Sequence, residues 1–210
     1  MTPEDSRIMT TIPLLLDGYT ELPPGKIANV VTFLERTDPP VSAPTTAPGL
    51  AVDDEERPNT AMYRDLYQRI GQDWLWFSRA VMADEALSRL LARPSTKILT
   101  LQRDGRPIGL VELDRAIPGE VEIVTFGVLP QDVGTGAARV LMEGTLARAF
   151  SAGIRRVWLH TCSFDHPAAV RFYRRHGFRG FKFAIEVSDD PRLAGFLPED
   201  AAPQVPLIRP

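Results

Sequence analysis

The amino-acid sequence predicts an α/β protein built on one mixed sheet, and three observations predict it. Short apolar segments with strand-like patterning recur along the chain. Stretches with apolar residues three and four apart lie between them. The connections are of two kinds. Tight turns join the middle strands into an antiparallel meander, whereas a helical crossover makes the two strands around it parallel.

The elements follow in order. Residues 1–24 read as a poorly ordered or packed leader with a short apolar patch, Ile12 to Leu16. Lys26 to Leu34 carries Ile27, Val30, Val31 and Phe33 and reads as the first strand, ended by Pro39 and Pro40. Residues 41–58 are rich in Pro, Ala, Thr and acids without periodicity, which predicts a surface loop or insertion. Met62, Leu66 and Ile70 then fall at helical spacing, with Tyr63 and Tyr67 beside them, and Gly71 closes that helix. After the Trp74–Phe77 cluster a second helix runs to about Ala92, with Asp84 as a local cap and Pro94 as the stop.

Thr96 to Gln102, Pro107 to Asp114 and Glu120 to Val128 are successive strands, separated by Asp104-Gly105 and Pro118-Gly119 turns. A glycine turn leads into a helix over Ala137 to Phe150. Arg156 to Cys162 is a strand, Pro167 to His176 a helix and Phe178 to Val187 a last strand. The core is expected as one domain over residues 25–187, followed by an irregular Pro- and Asp-rich tail at 188–210.

Composition narrows the function classes. A net charge of −3 argues against a dedicated nucleic-acid binder, since phosphate neutralisation needs a basic surface. The single cysteine, Cys162, rules out an intrachain disulfide and a multi-cysteine zinc site. With three histidines, a His-rich metal cage is not expected either. No stretch approaches the ~18 apolar residues of a membrane span, and no secretory signal is evident. The expectation is therefore cytoplasmic, with no metal, no membrane and no nucleic-acid partner.

The segment Gln131-Asp-Val-Gly134-Thr-Gly136-Ala137 carries the most information. A glycine-containing turn from a strand into a helix leaves backbone N–H groups pointing at one spot, and the helix dipole adds to their pull on an anion. A pyrophosphate is a natural guest there. Glycines placed only for tight packing read equally well from the residues. No Lys-Ser/Thr follows, so this is not a Walker loop, and the third glycine of a dinucleotide fingerprint is absent.

Gln131 to Gly136 resembles the Q/R-x-x-G-x-G/A signature of the GNAT acetyltransferases. About thirty residues on, His166-Pro-Ala-Ala-Val-Arg-Phe-Tyr173-Arg-Arg-His-Gly177-Phe178 is similar to that family's second signature, Asn-Pro-x-Ala-x-x-x-Tyr-x-x-x-Gly-Phe. The resemblance covers roughly Lys97 to Val187. It implies the GNAT acyl-CoA N-acyltransferase fold, a mostly antiparallel sheet with one splayed parallel pair flanked by helices. It also implies acetyl-CoA as acyl donor and direct transfer to an amine, and it allows a homodimer; the aromatic residues between Tyr63 and Phe77, with Arg79, hint at a small-molecule amine or amino acid as acceptor. The donor's pyrophosphate is implied to rest on Gln131, Asp132, Val133, Gly134, Thr135, Gly136 and Ala137. Its pantetheine arm is implied to pair near Phe126 and Val128, where the strand is expected to carry a bulge. Two departures stand out: Asp132 puts an acid where the family often has a base, and His166 replaces the signature Asn.

The chemistry needs a base for the amine and an acid for the departing thiolate. Tyr173 matches the signature tyrosine and is the candidate acid; a core aromatic is the other reading. Glu122, on the strand entering the turn, is the candidate base. Alternation places it on one face with Val124 and Phe126, and Val-Glu122-Ile-Val is similar to the segment bearing the catalytic glutamate of GNAT histone acetyltransferases. An exposed edge glutamate reads as readily. His160 is a candidate proton relay, and Cys162 reads as a structural thiol. Tyr67, Trp74, Trp76 and Arg79 are candidate acceptor-pocket residues, with Arg79 placed to hold a carboxylate; helix packing is the alternative. Acetylation of a protein amine, or a non-catalytic acyl-CoA sensor, are the competing functions.

Overall fold

The computed structural model describes residues 12–151 and 153–210. Seven strands form one sheet: β1 (Lys26–Arg36), β2 (Leu50–Glu55), β3 (Thr96–Arg103), β4 (Arg106–Asp114), β5 (Glu120–Val128), β6 (Arg156–Cys162) and β7 (Arg179–Asp189). Their spatial order is β2-β3-β4-β5-β6-β1-β7. Only β5 and β6 run parallel, and the crossover between them is helical, as the connection length demands. Four helices complete the fold: α1 (Thr60–Gly71), α2 (Asp84–Leu91), α3 (Ala137–Ala149) and α4 (Ala169–Arg175).

Local chemistry accounts for the helix ends. The Asn59 carboxamide oxygen accepts from the amides of Ala61 and Met62, satisfying two orphan donors of α1. Gly71 ends that helix because Trp76 folds back onto it. A Cβ there would lie 2.4 Å from the Trp76 Cβ. Asp84 is not the cap of α2. It occupies the first turn and pairs with Arg64 at 2.7 Å, while Ala83 takes the cap position.

The helices pack on opposite faces. Glu112 of β4 meets Tyr63 of α1, whereas Gly109 of the same strand abuts Leu141 of α3. We call the α1–α2 side the front and the α3–α4 side the back. Between them β4 is buried continuously from Ile108 to Leu113, as expected of a strand covered on both faces. Leu99, Leu101, Leu110, Leu113, Leu141 and Leu146 are all essentially inaccessible, and each contributes on the order of 1.5–3 kcal/mol by burial.

One feature departs from the sequence expectation, and two go beyond it. The segment expected as a loop over 41–58 contains β2, an edge strand on β3 whose Val52 fills the space left by Gly144 of α3. The strand is short and acidic, so its alternation is masked. β1 does not begin the meander. It is inserted between β6 and β7, antiparallel to both, on the far side of the sheet. The tail is irregular yet packed. Arg192 is buried, donating to both Asp190 oxygens and to the carbonyls of Ala201 and Val205. Leu197, Ala201 and Ala202 then form a small second core with Leu75.

Candidate active site

The site begins where β5 and β6 part. Their register runs only from Glu120↔Arg156 to Ile123↔Leu159. β5 continues to Val128 and β6 to Cys162, so a gap opens between them. The β4–β5 register shifts at the same point. Leu113 opposes Ile123 and Glu112 opposes Thr125, leaving Val124 as an extra residue. Such a bulge bends a strand and increases its twist, which separates it from a neighbour.

The bulge also resets which side chains share a face. Asp114 and Glu112 are two residues apart on β4 and oppose Glu122 and Thr125. Glu122, Thr125 and Gly127 therefore lie in front, and Phe126 and Val128 behind. The expectation that Glu122 shares a face with Phe126 fails because alternation was counted through the extra residue.

The glycine turn closes the end of the gap. Pro130 to Asp132 forms one tight turn, Val133 is extended, and Gly134 and Gly136 take φ of 82° and 91°. A Cβ at either glycine would meet nothing within 4 Å, so backbone conformation, not crowding, demands glycine here. The amides of Gly134, Gly136 and Ala138 donate to no acceptor among the described residues. They lie at the start of α3, where unpaired amides favour an anion. Gln131, Val133 and Thr135 are exposed around it, while Ala137 is buried under it.

Asp132 does not oppose an anion at this turn. Its side chain is buried and paired with Arg103, at the end of β3. The same guanidinium reaches the Thr135 hydroxyl. The acid in the turn is thus neutralised from another strand, a pairing no local motif reveals. His166, in place of the signature Asn, accepts from the Ala168 amide through Nδ1 at 3.1 Å and meets Trp74 edge-on.

Tyr173 rises from α4 on the back. Its ring packs edge-on against Phe126, Phe172 and Phe178, leaving the residue 8% exposed. Burial, and then the negative charge of Asp165, push its phenol well above the usual range. The hydroxyl therefore holds its proton more tightly than a free phenol. On the front, the His160 Nδ1 lies 3.5 Å from the Glu122 Oε1. That contact raises the imidazole pKa above its ordinary 6.5 against the opposing effect of burial. Two of the three side chains that the sequence singled out for proton transfer, Glu122 and His160, are thus brought into one pair.

Asp165 joins the two faces, and the sequence reading missed it. It accepts from the Thr161 hydroxyl at 2.6 Å, the Cys162 amide at 2.8 Å and the Trp76 indole at 2.9 Å. The one available signal is its position directly before the His166-Pro167 signature. Cys162 is half-buried, and burial followed by Asp165 pushes its thiol up to about 11, which makes it a poor nucleophile.

The α1–α2 candidates separate into two groups. Arg79 is committed internally. Its guanidinium donates to both Glu112 oxygens, at 3.1 and 2.8 Å, and the Tyr63 hydroxyl donates to the same carboxylate. Tyr67 is buried between Tyr63 and Trp76, its hydroxyl 3.1 Å from the Ser78 hydroxyl. A buried carboxylate requires such partners, so Arg79 is engaged before any acceptor arrives. Trp76 instead donates to Asp165 and Trp74 packs edge-on against His166, just beyond the end of β6.

A mixed sheet thus parts over a glycine turn, with Tyr173 behind it and the Glu122–His160 pair in front. Comparison with known proteins identifies the family. Residues 52–178, more than half of the chain, match the Acetyltransferase (GNAT) family. The chain belongs to that family. The match begins within β2, so β1 lies outside it. Uncharacterized N-acetyltransferases of Mycobacterium tuberculosis and Mycobacterium bovis are 37% identical over 103 residues, covering 49% of this chain and 65% of theirs. The chain thus spans just under two thirds of those relatives. Among solved structures, a GCN5-related N-acetyltransferase from Sphaerobacter thermophilus superposes with a TM-score of 0.61 at 17% identity, covering 80% of this chain and 52% of that one. One from Kribbella flavida gives 0.51 at 18% identity, covering 81% and 63%. These likenesses show the fold. Among the described residues no helix is long and apolar enough to cross a membrane, and no cluster of three metal-ligating side chains occurs.

Proposed function

We propose that this protein moves an acetyl group from acetyl-CoA to the primary amine of a small molecule or amino acid by direct transfer. The observation that carries the reading is the early end of the β5–β6 pairing, with the glycine turn at the mouth of the gap. The edge of β5 beyond Val124 offers backbone partners for an amide-containing arm. The open amides of Gly134, Gly136 and Ala138 suit its pyrophosphate, and Arg103 offsets the charge of Asp132 at the rim. Bound there, acetyl-CoA supplies a thioester whose carbonyl carbon accepts an amine.

The chain's own residues would handle the protons. An amine at neutral pH carries one proton too many, and the Glu122–His160 pair removes it. A pair with an imidazole titrating above 6.5 is well matched to that task near neutrality. Tyr173, held as a phenol, returns a proton to the departing sulfur. Trp76 and Trp74 would border the acceptor. A cytoplasmic location accords with this donor. The test is acetyl-CoA turnover, followed as free thiol, over a panel of amines, amino acids and peptides. Acceptor-dependent release that collapses in Tyr173→Phe supports the reading. Tight acetyl-CoA binding without release for any acceptor would favour a sensing role instead.

A further inference from the structure

β7 is an edge strand of 11 residues, paired with β1 alone. Edge strands of this length invite pairing with another chain, and proteins usually blunt them with proline, short length or charge. This one has no proline. On its back face, Phe183, Ile185 and Val187 are 75%, 50% and 49% exposed, next to a 50% exposed Val30 on β1. On its front face, Lys182, Ala184 and Glu186 oppose Phe33, Val31 and Asn29. Lys182 and Glu186 form no ion pair among the described residues. Lys182 lies over the Phe33 ring, and Glu186 accepts from Asn29.

The order of these residues is its own complement. Fold the strand back antiparallel on a second copy about Ala184, and Lys182 falls opposite Glu186 on the front, twice. Phe183 falls opposite Ile185 on the back, also twice. Moving the centre by one residue to 183 or 185 sets Lys182 against Ala184 or Ser188 and loses both charge pairs. A two-fold axis normal to the sheet keeps front with front and back with back, which is the geometry of an isologous interface.

We propose that two copies of this chain pair through β7, antiparallel and centred on Ala184, to make one continuous sheet across the dimer. The pairing satisfies the free backbone edge, sets the apolar stripes of the two copies side by side and matches the charges. It leaves both active-site gaps open, because β6 and β5 lie two and three positions inside the edge.

The test is the mass of the full chain by sedimentation equilibrium at low salt, for the native chain, Lys182→Glu, Glu186→Lys and an equimolar mixture of the two variants. The native chain should be a dimer. Each variant alone sets like charges opposite one another twice and should weaken association by about ten- to a hundredfold. The mixture should recover the dimer, since every Glu then faces a Lys. That recovery also shows both variants folded, as their circular dichroism should. A monomeric native chain overturns the proposal. A native dimer that survives both single reversals, or a mixture no tighter than its components, overturns the register.

Discussion

Replacing Arg79 with Met separates the two roles that residue can have. In the structure its guanidinium makes two hydrogen bonds to Glu112, whose side chain is 4% exposed. Removing the cation leaves a buried carboxylate with the Tyr63 hydroxyl as its main partner. Breaking a buried ion pair from one side costs about 3–5 kcal/mol, because the remaining charge stays desolvated. At roughly 2–4 °C per kcal/mol for a chain of this size, the midpoint should fall by about 10 °C. The double variant Arg79→Met with Glu112→Gln should regain most of that loss, since neither residue then carries an unpaired charge. Urea unfolding with circular dichroism measures both. A single variant destabilised by less than about 1 kcal/mol, but with a KM for a carboxylate-bearing acceptor raised tenfold, would refute the reasoning. It would return Arg79 to the acceptor pocket.

Other expectations follow from the same geometry. Tyr173→Phe should lower kcat by about 10²–10⁴ with acetyl-CoA affinity kept, because only the proton donor is removed; rapid-quench kinetics and calorimetry check the two halves. The ascending limb of the pH–rate profile should lie above 6.5, since the base must be unprotonated and its contact with Glu122 raises the His160 pKa. Glu122→Gln should move that limb to lower pH as well as lower the rate, because the raising contact goes and the lowering effect of burial stays. The same raised pKa adds stability that is fully present below 6.5 and is lost as pH rises through the folded-state value. Arg192→Met should release the tail, at a cost of about 3–5 kcal/mol to its local stability, and limited proteolysis should then cut after Asp190 where the native chain resists.

Most elements were legible because their signals are local. Apolar periodicity, the Asp104-Gly105 turn and the Gly-rich approach to α3 all act within a few residues. β2 was hidden because Leu50-Ala-Val-Asp-Asp-Glu has only one clear apolar alternation among its acids. The insertion of β1 beside β6 depends on contacts more than a hundred residues apart, and no periodicity encodes strand order. The site divides along the same line. The glycine turn and Tyr173 stand in contiguous motifs and could be named from them. The pairing of Glu122 with His160 could be anticipated only as two separate candidates. The facing of Glu122 was misjudged because one extra residue at Val124 inverts every side chain beyond it. Arg79 belonged to Glu112, and Asp132 to Arg103, through contacts that bridge separate elements.

If the parted strands and the glycine turn hold the acyl donor, amide hydrogen exchange with and without acetyl-CoA reads it most directly. Exchange should slow at Phe126 to Val128 and at Gly134 to Ala138, with β2 and the tail unchanged. Binding that protects neither segment, or protects only residues away from the gap, would contradict it.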